Sequence, residues 1–326
     1  MKGMILAAGF GTRLWPLTED RTKPAIPFVN RPLVAYSVDY LKSAGICDIV
    51  VNVHHRPESI KSALGDGSAF GIRLRYSYER EILGTGGALD NVREWLEDDE
   101  FVVVNGKIVT DLDLSRAIAV HRDHGALATL VLRRNEKREH FSIVETSKAG
   151  QVISFDGFPG DKDARPDLQC VPLMFTGIQV MSPGIFRYIP RGRFSHTTSD
   201  VFPQAIEAGE RIVGHVARGS WKELSTIARY LDESIRTARG SGDSNIVGEN
   251  CQIEPGAMVV DSVLWKRVHV MAGAHVERCV LGDGVRIEAG EVFRNSVIVR
   301  AEIVREIERG RVERDRLVAP IEPVLD

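Results

Sequence analysis

The chain has 326 residues, with 42 lysines and arginines against 45 aspartates and glutamates and a formal net charge of −3. That balance excludes wholesale electrostatic binding to nucleic acid or to an acidic membrane, and no apolar run approaches the ~20 residues of a membrane span. The opening MKGMILAAGFGTR reaches glycine and charge too early for a signal-peptide core, and Cys47, Cys170, Cys251 and Cys279 contain no C-x-x-C pair, so a cytoplasmic protein with reduced cysteines is expected.

In chain order, GMILAA (3–8), DIVVNV (48–53), IRLRYSY (72–78), FVVVN (101–105) and ALATLVL (126–132) read as buried strands. Between them, PLVAYSVDYLKSAG (32–45) places Leu33, Tyr36, Tyr40 and Leu41 at helical spacing. PESIKSAL (57–64), GALDNVREWL (87–96) and DLSRAIAVHRDHG (113–125) fit the same role. This alternation predicts an α/β fold with a Rossmann-like, mostly parallel mixed sheet, in which ligands bind beyond the carboxyl ends of the strands. FSIVE (141–145), QVISF (151–155) and MFTGIQVM (174–181) look antiparallel, with the loop DGFPGDKDARPD (156–167) before the last. Helices are expected near 183–189, 199–208 and 225–239, then a linker, ARGSGDSN (238–245).

The remainder is periodic. Ile246, Val263 and Val280 coincide at a step of 17, as do Ile253, Val270 and Ile287, and Gly256, Gly273 and Gly290. Apolar residues at roughly six-residue intervals with small residues between them mark a β-solenoid. The predicted division is 1–240, 241–304 for the coils, and a charged tail over 305–326 that forms a short helix or stays loose.

The chemistry concentrates in LAAGFGTRLWPLTEDRTKP (6–24). Gly9 and Gly11 let the backbone turn and offer N–H groups to an anion, and Arg13 and Lys23 add fixed positive charge. It is not a Walker A loop, and Leu14 replaces the third glycine of a dinucleotide fingerprint. With Arg13 and Lys23-Pro24, however, the segment resembles the signature of the sugar-1-phosphate nucleotidyltransferases. Glu81 to Ala88 (EILGTGGA) is similar to that family's base-recognition segment, Asn105-Gly106 to its N-G-D turn, Phe175-Thr176-Gly177 to its sugar-binding strand, and Trp221 to Thr226 (WKELST) to W-x-D-x-G-T. The coils resemble the short left-handed β-helix that ends mannose-1-phosphate guanylyltransferases.

The resemblance implies attack of a sugar-1-phosphate on the α-phosphorus of a nucleoside triphosphate, with pyrophosphate leaving and Mg²⁺ assisting. GDP-mannose is the favoured product, with UDP- and dTDP-sugars open. It implies nucleotide contacts from Leu6, Ala7, Ala8, Gly9, Gly11, Thr12, Arg13, Gly84, Thr85, Gly86, Gly87 and Asn105. Substrate contacts follow from Lys23, Asn52, Glu145, Thr176 and Gly177, with Arg13 and Lys23 catalytic. It also implies a homo-oligomer assembled through the β-helix.

Four positions depart from the pattern. Lys107 stands where the family has a magnesium-binding aspartate, Glu223 where it has the second, Ser225 where glycine is usual, and Ser142 where many members have glycine or asparagine near the sugar. An ammonium has no acceptor to offer a cation. Three readings stay open: weak or metal-independent catalysis, nucleotide binding without catalysis, or a substitution in an otherwise competent enzyme. Asp111 and Asp113 could rescue a metal site, but a helix-start role suits them better. His54-His55 cannot readily chelate one ion from adjacent strand positions. His269 and His275 raise an acyl-transfer option that so few coils support poorly.

Overall fold

The computed structural model describes residues 1–139, 141–156 and 171–322. Beyond Asp156, the loop expected over 156–167 lies outside these residues, as does Cys170. The strands are β1 (Lys2–Leu6), β2 (Asp48–Val53), β3 (Arg73–Tyr78), β4 (Phe101–Asn105), β5 (Ala128–Arg134), β6 (Ile143–Thr146), β7 (Val152–Phe155), β8 (Leu173–Met181) and β9 (Ile212–Val216). They form one nine-stranded sheet in the order β7-β6-β8-β4-β1-β2-β3, with β5 against β8 and β9 against β5. The β4-β1-β2-β3 half is parallel, and β8 runs antiparallel to β4, β5 and β6.

Alternation along each strand divides the core. Ile5, Val51, Val102 and Val104 pack beneath α1 (Leu33–Ser43), α2 (Pro57–Leu64) and α4 (Leu114–Asp123). Met4, Val50, Phe101 and Val103 face the other way, onto α3 (Gly84–Asp90) and the segment carrying Phe186 and Phe202. A sheet buried on both faces needs apolar residues at consecutive positions, and FVVVN and DIVVNV supply them. The helix predicted over 87–96 begins earlier, at Gly84, and breaks at Val92 before a short turn, Arg93–Leu96.

After α5 (Ile227–Gly240) the chain winds into a β-helix from Ile246. Each coil lies 17 residues from the next: Ile246 pairs with Val263, Val263 with Val280 and Val280 with Val297, while Ile253, Val270 and Ile287 stack on a second face. Gly256, Gly273 and Gly290 turn corners at φ of 84°, 73° and 75°, where a side chain would be strained.

The segment after Val304 is neither helix nor loose. Strands Arg311–Glu313 and Arg316–Pro320 form a hairpin, and the second pairs antiparallel with Ser296–Arg300, closing the last coil. Leu317 and Ala319 are buried in this cap, and buried Arg316 makes a two-pronged ion pair with Glu291, 2.8 Å on each arm. The charge count of the tail conceals this strand, whose apolar run Leu317-Val318-Ala319 is short and buried on both faces.

The β-helix docks onto the first loop of the chain. Trp265 is buried and donates its indole N–H to the Tyr230 hydroxyl at 2.9 Å, and that hydroxyl donates to the Pro27 carbonyl at 2.6 Å. Arg21 lies 4.7 Å from the Trp265 ring centroid and pairs with Asp283 at 2.7 Å.

Candidate active site

Strands β1, β2 and β4 end level, so Leu6 has Asn52 on one side and Asn105 on the other. Beyond Leu6 the chain turns through Gly11, at φ 70°, where a Cβ would stand 2.9 Å from that of Lys23. The N–H groups of Gly9, Phe10 and Gly11 find no acceptor among the described residues. A concave run of such groups suits an anion. Leu6, Ala7, Gly9, Gly11, Thr12, Arg13, Lys23, Asn105 and Lys107 line a cavity of about 250 Å³ here, whereas Ala8 is buried outside it.

Three cations and one carboxylate set the potential. Lys107 Nζ sits 2.5 Å from Glu223 Oε1, across the pairing of Ile108–Thr110 with Trp221–Glu223. Burial disfavours the Glu223 charge, but the Lys107 and Lys23 ammonium groups outweigh it and hold the carboxyl below its usual range. Lys23 is 8% exposed, and its ammonium makes no hydrogen bond or ion pair among the described residues. Burial, with Lys107 and Arg13 adding to it against the pull of Glu223, pushes its ammonium down to about 7. Arg13 is exposed at the cavity rim.

A second cavity of about 380 Å³ continues from the first, sharing Leu6, Arg13, Asn105 and Lys107. Its walls include Thr85, Phe141, Ser142, Phe175, Thr176, Gly177, Gln179, Thr197, Trp221, Glu223 and Arg229. Gly177, at φ 79°, lets β8 press against β4: a Cβ there would stand 2.2 Å from Asn105 Nδ2.

Several predicted contacts take other roles. Asn52 is buried and committed: it accepts from Ala7 N–H at 2.7 Å and donates to Glu79 Oε1 at 2.7 Å, while Leu83 N–H donates to Glu79 Oε2 at 3.0 Å. It fixes the loop's exit from β1 and touches neither cavity. The glycines of EILGTGGA serve a close approach within the protein. Gly86 and Gly87 N–H groups both donate to the Ser195 carbonyl, at 2.8 and 3.2 Å, and a Cβ on Gly84 would stand 2.4 Å from that oxygen. Of that segment only Thr85 lines a cavity. Thr176 forms wall, but its hydroxyl donates to the Val131 carbonyl at 2.7 Å. Glu145 is exposed, accepts from Ser154 Oγ at 2.6 Å and lines neither cavity, because β6 turns it outward.

Sequence reasoning passed over Gln179, Thr197 and Arg229. For Arg229 a signal existed: Thr226 caps α5, accepting from Arg229 N–H at 3.2 Å, which puts the arginine in the first turn beside the cavity.

Residues 2–239 match the family described as nucleotidyl transferase, and residues 228–312 match the GlmU-like C-terminal hexapeptide family. The chain belongs to the nucleotidyl transferase family. It is 29% identical over 315 residues to a UTP–glucose-1-phosphate uridylyltransferase of Synechocystis sp., covering 92% of this chain and 80% of that one. It is also 29% identical over 301 residues to the mannose-1-phosphate guanylyltransferase of Mycobacterium tuberculosis, covering 89% and 82%. A glucose-1-phosphate thymidylyltransferase of Streptomyces griseus is 27% identical over 335 residues, covering 96% and 92%. A crystal structure from Bacillus anthracis, of a protein described as a glucose-1-phosphate thymidylyltransferase, shares the fold with a TM-score of 0.63, 24% identity and coverage of 73% and 95%.

Within this nucleotidyl transferase, the side chains at the expected metal position do not fit Mg²⁺. One of the two acidic positions holds an ammonium, and that ammonium already engages the remaining carboxylate, Glu223. Among the described residues no group of three or more His, Cys, Asp or Glu is placed to hold a metal ion. Asp111 accepts from Ser220 N–H at 2.6 Å and Oγ at 2.8 Å, and Asp113 caps α4 by accepting from Arg116 N–H at 2.9 Å. Neither turns back toward Lys107. His54 and His55 contact the carbonyls of Glu79 and Thr18, and His269 pairs with Glu254 on the β-helix surface. Among the described residues no helix is long and apolar enough to cross a membrane.

Proposed function

We propose that the chain binds a nucleoside triphosphate in the smaller cavity and a sugar-1-phosphate in the larger one, and joins them with release of pyrophosphate at a reduced rate. The supporting observation is the surplus of cations: Arg13, Lys23 and Lys107 against Glu223, where the two cavities meet. Both substrates are polyanions, so repulsion between them dominates the barrier, and fixed positive charge lowers it without reorganisation. The Gly9 to Gly11 amides would hold phosphate oxygens, Arg13 would meet charge developing at the α-phosphate, and Lys23 would lie between the two phosphates. Lys107 supplies a point charge where the family binds an ion.

GTP and mannose-1-phosphate come first because the coils resemble those that end mannose-1-phosphate guanylyltransferases, one of which matches over 89% of this chain. The uridylyl- and thymidylyltransferase relatives keep UTP and dTTP in contention. A second reading, nucleotide binding without transfer, is favoured by the Lys107–Glu223 pair, which occupies the one carboxylate a metal would use. Pyrophosphate release from five nucleoside triphosphates with mannose- or glucose-1-phosphate, alongside ligand-induced thermal shifts, separates the two readings. Shifts without release support binding alone, and neither signal with any nucleotide sinks both.

Binding should also titrate. A bound polyphosphate raises the pKa of Lys23 from about 7, so between the free and bound values binding takes up a proton. Triphosphate affinity is therefore expected to fall as pH rises from 7 to 9, by at most about tenfold per unit. Dissociation constants at constant ionic strength, measured beside Lys23→Met, check this. A slope that persists in the variant assigns it elsewhere.

A further inference from the structure

Gln179 is out of place for a core residue. It lies on β8 opposite Val103 of β4 and Leu130 of β5, both fully buried in the apolar layer that holds Met4 and Met181. It is 2% exposed, and its Oε1 has no hydrogen-bond partner. A buried amide without partners costs stability that leucine or methionine, of similar length, would not. The register shift in β8 between Phe175 and Gln179 brings this side chain to the wall of the larger cavity.

We propose that Gln179 is a specificity-determining residue that recognises a ring hydroxyl of the sugar moiety. This rests on the nucleotidyl-transfer reading above and adds to it a residue that discriminates between sugars. A carboxamide is neutral and offers both acceptor and donors, so it complements a group that does the same. Phosphate, which only accepts, is better served by the cations Arg13, Lys107 and Arg229 on the same cavity. A hydroxyl matches on both counts. The surroundings suit a pyranose: the Thr85 and Thr197 hydroxyls lie 3.1 Å apart on the same cavity, and Phe141 and Trp221 meet edge to face, with centroids 5.2 Å apart, as an apolar corner. A site built to hydrogen-bond a substrate hydroxyl rejects an analogue that lacks it, because its own polar groups are then left unpaired.

Calorimetric titration of GDP, GDP-mannose, UDP, UDP-glucose, dTDP and dTDP-glucose into wild type, Gln179→Leu and Gln179→Glu tests this. In wild type at least one sugar nucleotide should bind more tightly than its diphosphate. In Gln179→Leu that gain should shrink by about tenfold to a hundredfold, while the diphosphate binds within about twofold of wild type, which also shows that the variant folds. Gln179→Glu keeps an acceptor and should retain part of the gain. An undiminished gain in Gln179→Leu overturns the assignment to Gln179 while leaving nucleotidyl transfer intact. Absence of any gain in wild type shows that the larger cavity does not take sugar, and overturns the inference too. Failure of wild type to bind any diphosphate overturns the reading on which it rests.

Discussion

Replacing Lys107 with aspartate is expected to make nucleotide binding and pyrophosphate release depend on Mg²⁺. Lys107 leaves β4 after the Asn105-Gly106 turn, and Gly106 N–H donates to the Leu6 carbonyl at 2.9 Å, which pins the turn against β1. Its Nζ contacts Glu223, a residue only 7% exposed. The substitution removes one cation and leaves two carboxylates facing each other in a partly buried site. Like charges so placed cannot both ionise cheaply, so a divalent cation should bind between them. With Mg²⁺, release should rise by about two orders of magnitude over wild type, since a bound metal supplies several kcal/mol of charge stabilisation. In EDTA the variant should bind triphosphate more weakly than wild type by about tenfold or more, having lost an attraction and gained a repulsion. Paired release and binding assays with and without metal decide it. Equal Mg²⁺-dependent rates in both proteins would refute this account of Lys107.

Lys23→Met should have opposite effects on binding and on stability. The ammonium is desolvated and unpartnered, and its folded-state pKa of about 7 lies below lysine's ordinary value of 10.5. A lowered lysine pKa means that the charge opposes folding: the cost is fully present below pH 7 and vanishes above about 10.5. Removing it should raise stability at pH 6 by roughly 1–3 kcal/mol, seen in denaturant titration. Triphosphate affinity should fall by about a hundredfold, because a buried cation facing an anion is worth a few kcal/mol. A merely structural lysine would move both quantities the same way. Loss of both stability and affinity would therefore count against its place in the phosphate site.

The parallel half-sheet and the coils were legible because each rests on a short period: consecutive apolar residues for a sheet buried on both faces, and a 17-residue step with glycine at the same corner of each coil. The Gly9 to Lys23 loop was legible for a similar reason, since its residue types are close in sequence. What was not legible depends on distant partners. Nothing near EILGTGGA reveals that the Ser195 carbonyl takes up its amides from more than a hundred residues away. Asn52 looks like a free polar group until Ala7 and Glu79 are brought beside it. Glu145 follows the family pattern in sequence, but strand direction, which no residue near it encodes, turns it outward. The C-terminal hairpin was hidden by charge, since Arg316 is recognisable as interior only once Glu291 is opposite it.

Arg21, fifteen residues past Leu6, meets Asp283 and Trp265 only near the end of the chain. The opening loop therefore gains these neighbours only after every strand of the nine-stranded sheet has been translated. On the ribosome, a nascent polypeptide short of Asp283 carries the strands that frame the loop but not the wall that steadies its far side.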